Sequence, residues 1–371
     1  MSAPVSDTHP GPKPNVLAIA PYVGGKAQIP GLSQVFKLSS NESALGPSPK
    51  AIAAFQSAAD QLAIYPEGSS AALRAAIGEV YGIDRDRIVC GAGSDELLAL
   101  LVQAYAHPGE EVLYSAHGFL VYKIAALAHG AVPVAAPEPK RIADVDALLA
   151  AVTPRTRILF LANPNNPTGT LLSAAEIARL HRGLPANVLL VIDAAYGEYC
   201  EGPDHDGALA LAGRHANVVT TRTFSKIYGL AALRVGWLYG PEHVVDAINR
   251  IRGPFNVSIP GQRAAVAAVQ DQAWVRTVRD FTADWRNRLL QQLGGLGLAV
   301  APSHGNFLLI DFPAAPGQTV DDADAFLQSC GLILRRVGAY GLPHSLRLTV
   351  GPEEANRRVI EAFSAFRAKA A

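Results

Sequence analysis

Residues 156–196, TRILFLANPNNPTGTLLSAAEIARLHRGLPANVLLVIDAAY, contain the alternation that decides the fold. An apolar strand at 156–162 is followed by a helical pattern at 173–184, and a second apolar strand follows at 187–193. The same alternation of strands and helices runs from Asp86 to about residue 240. Strands that alternate with helices pair in parallel through right-handed crossovers, which place helices on both faces of the sheet. The pattern therefore predicts an α/β fold with a mostly parallel central sheet.

The chain after residue 240 has a different rhythm. The pattern is mostly helical from 241 to 296, and strands and helices then mix up to the end of the chain. A length of 371 residues also suits about two domains. We expect a second, smaller α+β unit, with these boundaries: a flexible N-terminal arm at 1–20, an N-terminal segment of the small domain at 21–48, a large domain at 49–270 and a small C-terminal domain at 271–371.

The composition excludes several classes of protein. The chain has 32 Lys and Arg residues against 32 Asp and Glu, and its scattered basic residues do not form the positive surface that nucleic-acid binding needs. No apolar run approaches the ~20 residues of a membrane-spanning helix, and the N-terminus lacks the pattern of a signal peptide. Cys90, Cys200 and Cys330 lie far apart, which is typical of a reducing compartment. We expect a cytoplasmic protein without nucleic-acid or membrane partners.

The usual nucleotide and metal signatures are absent from the sequence. The segment GAGSDE at 91–96 has Glu96 where a dinucleotide fingerprint requires its third glycine, and no GxxxxGK(S/T) loop occurs. The 10 histidines form no HExxH or HxH pair. We therefore expect neither a nicotinamide cofactor nor a metal site.

The segment GAGSDE instead predicts an anion-binding site. A strand that ends in small residues and continues into a helix at Ser94 and Asp95 exposes backbone N–H groups around Gly93, at the start of the helix. The alternative is an ordinary helix in which Ser94 is the N-cap and no ligand binds.

Two more polar segments directly follow apolar strands. The segment NPNNPTG at 163–169 forces an irregular turn at a strand end, where open α/β sheets bind their ligands. Asp193 ends a strand that is apolar enough to be buried on both faces, and a carboxylate there needs a cationic partner. The alternatives are a helix N-cap for Asp193 and a core position for Tyr196.

Lys226 differs from the other lysines of the chain in its setting. It lies in TFSKIYGL, at 223–230, between apparent strands, with hydroxyl groups nearby and Arg234 further along the same segment. Desolvation and neighbouring positive charge lower the pKa of an amine, and a neutral amine forms a Schiff base with an aldehyde. We predict that Lys226 is catalytic.

Together these residues match the functional groups of pyridoxal 5'-phosphate. The lysine suits its aldehyde, the aspartate its pyridinium nitrogen, an Asn and a Tyr its phenolate oxygen, and hydroxyls, an arginine and a helix N-terminus its phosphate. From about Pro21 to Phe366, the chain resembles the fold type I aminotransferases, specifically the histidinol-phosphate aminotransferase family. The motifs that carry this resemblance occur in the family's order: PYVGGK, KLSSNESALGPSP, YPEGSSAALRAAI, GAGSDE, NPNNPTG, DAAY, TFSKIYGLAALRVGW and LRLTVGPEEANRRVIEA.

The resemblance implies a role for each cofactor-binding residue. Lys226 holds the cofactor as a Schiff base and shuttles the substrate's α-proton. Asp193 pairs with the ring nitrogen. The remaining implied contacts are Asn166 and Tyr196 at the phenolate oxygen, Phe119 on the pyridine face, and Gly93, Ser94, Asp95, Thr223, Ser225 and Arg234 at the phosphate. Tyr65 reaches the cofactor phosphate of the neighbouring subunit, which implies a homodimer.

The resemblance also implies which residues bind the substrate. Arg347 clamps an anionic group of the substrate bidentately, and Arg335 is a second anion contact. Arg336 is the alternative to Arg335, because neighbouring residues of a strand face opposite ways. Tyr22 and Asn41 lie in the N-terminal segment, 21–48, which closes over the substrate.

The implied reaction interconverts L-histidinol phosphate plus 2-oxoglutarate and imidazole-acetol phosphate plus L-glutamate, a step of histidine biosynthesis. The chain has NESA at 41–44 where the family has NENP, and YVGGK at 22–26 where the family has YVPGK. Both differences lie in the segment that covers the substrate, so they leave substrate specificity open. The DAAY at 193–196, in place of DEAY, does not alter a cofactor contact. The alternatives are an aromatic aminotransferase for phenylalanine or tyrosine, and a related lyase acting on an amino-acid phosphate.

Overall fold

The computed structural model describes residues 11–21, 24, 26, 28–32, 34–202 and 207–370. The strands β1 to β13 are Phe36–Lys37, Ile88–Gly91, Glu111–Ser115, Val132–Ala136, Thr156–Ala162, Leu189–Asp193, Val218–Thr223, Gly236–Tyr239, Ala299–Ala301, Phe307–Asp311, Leu332–Ile333, Arg335–Arg336 and Ser345–Thr349. The helices α1 to α13 are Pro14–Leu17, Pro49–Gln56, Ala71–Tyr81, Ser94–Tyr105, Leu120–His129, Val145–Ala150, Ala174–Gly183, Gly207–Arg214, Glu242–Ile251, Ile259–Gln270, Gln272–Gly295, Val320–Ser329 and Glu353–Ala370. Short 3-10 turns include Gly197–Tyr199 and Gly338–Tyr340.

A seven-stranded sheet forms the centre of the large unit, in the order β2-β8-β7-β6-β5-β3-β4. Every neighbouring pair is parallel except those of β8, which is antiparallel to both β2 and β7. The prediction of a mostly parallel central sheet is therefore confirmed.

Both faces of this sheet are covered, which explains why its inner strands are apolar throughout. In β6, Leu190 and Ile192 belong to one buried cluster, whereas Leu189 and Val191 belong to another. The first cluster includes side chains of α3, α7, α8 and α10, and the second includes side chains of α4, α5 and α9. Because strand residues alternate between faces, each strand must supply hydrophobic residues at every position.

The second unit is built on a four-stranded antiparallel sheet, in the order β12-β13-β10-β9. One face of this sheet packs against α11, α12 and α13 around a separate apolar core that includes Trp285, Leu348 and Phe363. The N-terminal segment joins this unit, because β1 pairs in parallel with β11 and Leu38 is buried in the same core. Residues 36–38 therefore fold with the C-terminal part of the chain.

Part of the region expected to be a flexible arm contacts the large unit. Helix α1 has a single turn, and the Asn15 side-chain amide donates to the backbone oxygen of Leu127, at 2.6 Å, near the end of α5.

Among the described helices, none has the length and hydropathy needed to cross a bilayer.

Candidate active site

A cavity of about 500 Å³ lies at the carboxyl ends of β5, β6 and β7. Its floor includes Ala162, Asp193 and Thr223, each the last residue of its strand. The small unit closes one side with Arg335, Tyr340 and Arg347, and residues 39–42 of the N-terminal segment close another. Open α/β sheets bind ligands at this edge, because the loops that follow parallel strands meet there.

Most of the site residues expected from the sequence line this one cavity. They are Asn41, Ser94, Asp95, Phe119, Asn166, Asp193, Tyr196, Thr223, Ser225, Lys226, Arg234, Arg335 and Arg347. Gly93 adjoins it as the residue before α4. Tyr65 does not line it, and Tyr22 lies outside the described residues.

Lys226 is partly buried in the loop that follows β7. Its Nζ donates to the backbone oxygen of Ser40 at 3.2 Å and lies 5.8 Å from the centre of the Tyr196 ring. Burial, reinforced by the positive charge of Arg347, lowers the pKa of the Lys226 amine to about 8. At pH 7 about one tenth of the amine is then neutral, which is the nucleophilic form, against far less for an ordinary lysine.

Asp193 is buried at the end of β6, with 4% of its surface exposed. Its carboxylate accepts hydrogen bonds from the Tyr122 hydroxyl at 2.8 Å and from the Thr221 hydroxyl at 3.1 Å. Burial raises the pKa of Asp193 to about 6, although both hydroxyls oppose the rise. Both donors are neutral, so a cation placed against this carboxylate would be strongly stabilised.

The Tyr196 hydroxyl is held by the N-terminal segment. It accepts a hydrogen bond from the Asn41 side-chain amide at 2.8 Å. Asn41 has a φ of 56°, in the left-handed region that Asn tolerates better than most residues. Two residues of the small unit fix this conformation: the Thr349 hydroxyl bonds Asn41 Oδ1 at 3.1 Å, and the Asn306 amide donates to the Asn41 backbone oxygen at 3.1 Å.

An anion cradle forms where α4 begins. Gly93 precedes the helix with a φ of 84°, and Ser94 is the first helical residue, so the alternative in which Ser94 is the N-cap is wrong. Arg234 extends across the helix start, with its Nη1 3.3 Å from Ser225 Oγ and its Nη2 3.2 Å from Asp95 Oδ2. Hydroxyls, a guanidinium group and free helical N–H groups therefore converge, a combination suited to a phosphate.

Glycine is required at two positions of this cradle. A Cβ on Gly93 would lie 2.5 Å from Arg234 Nη2, and a Cβ on Gly236 would lie 2.4 Å from the Ser94 backbone nitrogen. At Gly236 the clash is with backbone, which cannot move aside; at Gly93 the arginine could move, but the φ of 84° strains any residue other than glycine. The sequence therefore permits β8 and the arginine to approach the helix start closely.

Two arginines of the small unit face the cavity from adjacent strands. Arg335 of β12 and Arg347 of β13 are direct partners in the antiparallel pair, so their side chains share a face of the sheet. Arg347 is buried and donates to the backbone oxygen of Ser39 at 2.7 Å and to the side-chain oxygen of Asn166. Arg336 instead pairs with Asp321 of α12. Of the two adjacent arginines, Arg335 is the one that lines the cavity.

Two aromatic residues expected at the site have different surroundings. Phe119 precedes α5, lines the cavity and meets the Tyr122 ring edge-on, with 5.9 Å between ring centres. Tyr65 stacks on Phe255 with 4.6 Å between ring centres and is 79% exposed. Tyr65 therefore faces away from the cavity of its own chain.

The sequence analysis missed several residues that shape the site. Tyr122 was not identified, although it lies one helical turn after Phe119 and therefore on the same face of α5. Thr349 follows Arg347 at the strand period of two and shares its face, which is a usable signal. Asn306 has no local pattern that marks it, because its partners are backbone oxygens far away in the sequence.

Replacing Asp193 by Asn should stabilise the protein when no ligand is bound. The pKa of about 6 in the folded state lies above the ordinary value of 3.8, so the wild-type carboxyl favours folding while protonated and loses that contribution as the pH rises from about 4 to 6. The melting temperature of Asp193→Asn should therefore increasingly exceed that of wild type across this range, in protein from which every bound small molecule, covalent adducts included, has been removed. Asp60→Asn, at an exposed position, should show no such trend. A constant difference for Asp193→Asn would contradict the interpretation.

Known proteins resemble this chain in sequence over nearly its whole length. The family model described as aminotransferase class I and II matches residues 33–363. Histidinol-phosphate aminotransferase of Rhodopseudomonas palustris strain HaA2 is 55% identical, covering 98% of this chain and 100% of that protein. The corresponding protein of Nitrobacter hamburgensis is 54% identical over 98% of this chain and 100% of its own length.

Solved structures show the same fold. Histidinol-phosphate aminotransferase of Sinorhizobium meliloti, crystallised in complex with pyridoxal-5'-phosphate, has a TM-score of 0.89 at 28% identity, covering 99% of this chain and 100% of that chain. A mutant aspartate aminotransferase of Thermus thermophilus has a TM-score of 0.82 at 23% identity, covering 96% and 99%, and shows the fold alone. The fold is that of the fold type I enzymes, and this chain belongs to the class I and II aminotransferase family.

Proposed function

We propose that this aminotransferase interconverts L-histidinol phosphate plus 2-oxoglutarate and imidazole-acetol phosphate plus L-glutamate, with pyridoxal 5'-phosphate as its cofactor. The full-length relatives that carry this activity in their names are 55% identical to the chain. The observation that carries the proposal is the cavity itself, where Lys226, Asp193, Tyr196 and the cradle at Ser94 meet. The reaction belongs to histidine biosynthesis.

The residues of the cavity fit the cofactor group by group. Asp193 is a buried carboxylate with neutral hydroxyl donors, and a protonated ring nitrogen supplies the cation that it needs. The cradle at Ser94, Ser225 and Arg234 suits the phosphate, and Thr223 lies beside it at the end of β7. When bound, the cofactor supplies a conjugated ring that takes up negative charge from the substrate's α-carbon.

Lys226 has the properties of the residue that binds the aldehyde and moves the proton. Its Nζ is held at the mouth of the cavity by Ser40, and its lowered pKa of about 8 leaves it able to accept and donate a proton near neutral pH. We assign Lys226 Nζ to covalent attachment of the aldehyde and to proton transfer at the α-carbon. The same atom would suit both roles, because a neutral amine is both a nucleophile and a base.

Asn166 and Tyr196 are assigned to the phenolic oxygen of the cofactor. The Asn41 amide donates to Tyr196, which leaves the phenolic proton of Tyr196 available to the cofactor. Arg347 bonds Asn166, so the arginine that faces the substrate also orients a cofactor contact. Phe119 is assigned to the face of the ring, because it lines the cavity beside Asn166 and Asp193.

Arg335 and Arg347 are assigned to the anionic groups of the substrates. L-Glutamate has two carboxylates, whereas L-histidinol phosphate has a phosphate monoester, and guanidinium groups bind either class bidentately. Asn41 and Tyr22 are assigned to the segment that covers the substrate, together with the rest of 21–48.

The units 49–270 and 271–371 are proposed as the large and small domains, with 1–20 as the N-terminal arm.

A second copy of the chain is proposed to complete the site. Leu62, Ile64 and Tyr65 are 74%, 63% and 79% exposed, and Phe255, on which Tyr65 stacks, is 46% exposed. Contiguous exposed hydrophobic side chains mark interaction surfaces. We define these four residues as the apolar patch and propose that it forms part of a homodimer interface, with Tyr65 directed at the partner's cofactor phosphate.

A cytoplasmic location is also proposed, since all three cysteines are free thiols.

The substrate assignment is tested by half-reactions with separate amino donors. L-Histidinol phosphate should convert the bound cofactor to its amine form much faster than L-phenylalanine does, and L-glutamate should also react, as followed by loss of visible absorbance. Lys226→Ala should abolish both conversions, whereas Lys140→Ala, at an exposed site, should not change them. Equal rates with phenylalanine would make the enzyme a broad or aromatic aminotransferase. Silence with every donor would favour a lyase.

The adjacent arginines provide a matched pair of variants. Arg335→Ala should raise the KM for L-histidinol phosphate by about tenfold or more, because a charge-assisted hydrogen bond contributes roughly 1.5 to 3 kcal/mol. Arg336→Ala, whose side chain pairs with Asp321 outside the cavity, should leave the KM within about twofold of wild type, as its ion pair is exposed. Steady-state kinetics decide the matter, and equal effects of the two variants would refute the assignment.

The dimer is tested by light scattering. The wild-type protein should have twice the chain mass of 39.0 kDa. The double variant Leu62→Arg with Ile64→Arg should have the mass of one chain and a reduced affinity for the cofactor, because charged side chains would be buried at the interface. Val132→Arg, at another exposed hydrophobic position, should remain dimeric. A wild-type monomer with full activity would overturn the proposal.

A further inference from the structure

A group of buried polar side chains lies on the face of the central sheet opposite Asp193. Arg222 of β7 has no exposed surface, and its Nη1 lies 3.4 Å from Glu198 Oε1 in the turn Gly197–Tyr199. The guanidinium also lies over two aromatic rings, with Cζ 4.9 Å from the centre of Tyr81 and 5.9 Å from the centre of Trp237. None of these side chains lines the cavity.

Two tyrosine hydroxyls extend this group to the lysine loop. The Tyr81 hydroxyl donates to Glu198 Oε1 at 3.0 Å and lies 2.8 Å from the Tyr228 hydroxyl. Tyr228 belongs to the loop that follows β7 and is 2% exposed. We call Arg222, Glu198, Tyr81 and Tyr228 the reverse-face network.

Stability alone does not explain a network of this kind. Removing an arginine and a glutamate from water costs several kcal/mol for each ion. The attraction between the two charges compensates for only part of this desolvation free energy. Hydrophobic residues of similar volume in such a position are often equally stabilising or better. A buried ion pair is therefore better accounted for by the geometry that it imposes on its neighbours.

The sequence positions of the network residues show which segments of the site the network holds together. Glu198 lies just after Tyr196, and Tyr228 lies just after Lys226. Arg222 lies between Thr221, whose hydroxyl bonds Asp193, and Thr223, which lines the cavity. The network thus joins, from behind the sheet, the three segments that carry Tyr196, Lys226 and the floor of the cavity.

We propose that the reverse-face network is a positioning device that holds the Lys226 loop against the Tyr196 segment, with Tyr81 and Tyr228 as positioning residues. The inference rests on the proposed role of Lys226 and goes beyond it, because no member of the network lines the cavity. Its consequence is that the distance between Lys226 Nζ and Tyr196, now 5.8 Å to the ring centre, depends on two hydroxyl groups on the face of the sheet opposite Asp193.

The test uses three variants that each remove one buried hydroxyl from the holoenzyme. Tyr81→Phe removes the hydroxyl that bonds both Glu198 and Tyr228. Tyr228→Phe removes the last hydroxyl of this hydrogen-bonded series. Tyr199→Phe is the matched control: it is buried beside Glu198, and within the described part of the chain its hydroxyl has no hydrogen-bond partner. Each variant is measured for its melting temperature, for the pH midpoint of the visible absorbance of the bound cofactor, and for L-glutamate half-reaction kinetics.

Tyr81→Phe should shift the absorbance midpoint and lower the maximal half-reaction rate by about tenfold, with the apparent affinity for L-glutamate within about twofold, since misplaced reacting groups reduce the chemical step more than binding. Tyr228→Phe should act in the same direction with a smaller effect. Tyr199→Phe should leave the midpoint and rate unchanged, even if its melting temperature falls.

The proposal is overturned if Tyr81→Phe and Tyr228→Phe bind the cofactor with the wild-type midpoint and rate, whatever their melting temperatures. It is also overturned if Tyr199→Phe shifts the midpoint equally. Failure of the wild-type protein to react with L-histidinol phosphate would refute the substrate assignment instead. The positioning test would stand, because it relies only on L-glutamate and on the absorbance of the bound cofactor.

Discussion

The burial of a carboxylate at the end of a central strand is the constraint on which the rest of the site depends. Asp193 lies between two apolar layers and is held by the hydroxyls of Tyr122 and Thr221, neither of which carries a compensating charge. An ionised carboxylate without a cationic partner is destabilised by burial, and burial therefore raises the pKa of Asp193. A ligand with a positive ring nitrogen would remove that cost, so Asp193 would contribute part of the binding free energy of such a ligand.

The other functional groups are arranged around Asp193 by the topology of the sheet. Because β5, β6 and β7 are parallel neighbours, the segments after them meet at one edge. These segments carry Asn166, Tyr196 and Lys226. The antiparallel strand β8 brings Gly236 against the start of α4, which places the anion cradle beside the same edge. The small unit then adds Arg335 and Arg347 from a separate sheet.

The sequence allowed prediction of the parallel sheet and of most cavity residues, because those features are local. The strands are continuous apolar runs; Asp193 ends one of them, and Asn166 and Lys226 follow shortly after two others. Arg335 and Arg336 could not be separated from sequence alone, since the choice depends on the register with Arg347 and on Asp321 in another helix. Asn306 and the reverse-face network were missed for a related reason: their partners are far apart in the chain and have no shared pattern.

The contacts of Arg347 and Lys226 also explain why the site needs both units. Arg347 bonds Asn166 in the large unit and Ser39 in the N-terminal segment, and Lys226 bonds Ser40 in that segment. Residues 39–41 therefore contact Lys226, Arg347 and, through Asn41, the Tyr196 hydroxyl. Ordering of this segment by a substrate would act on all of these groups at once, and it would exclude water from the cavity.

We expect that Lys226 alone, of the lysines in this chain, binds the cofactor. It is tested most directly by reducing the holoenzyme with borohydride and mapping the labelled tryptic peptide. Lys226 lies between Arg222 and Arg234, and trypsin does not cleave after a modified lysine, so the label should appear in the uncleaved peptide 223–234, TFSKIYGLAALR. Label on any other lysine, with this peptide unmodified and cleaved after Lys226, would contradict the assignment of the site.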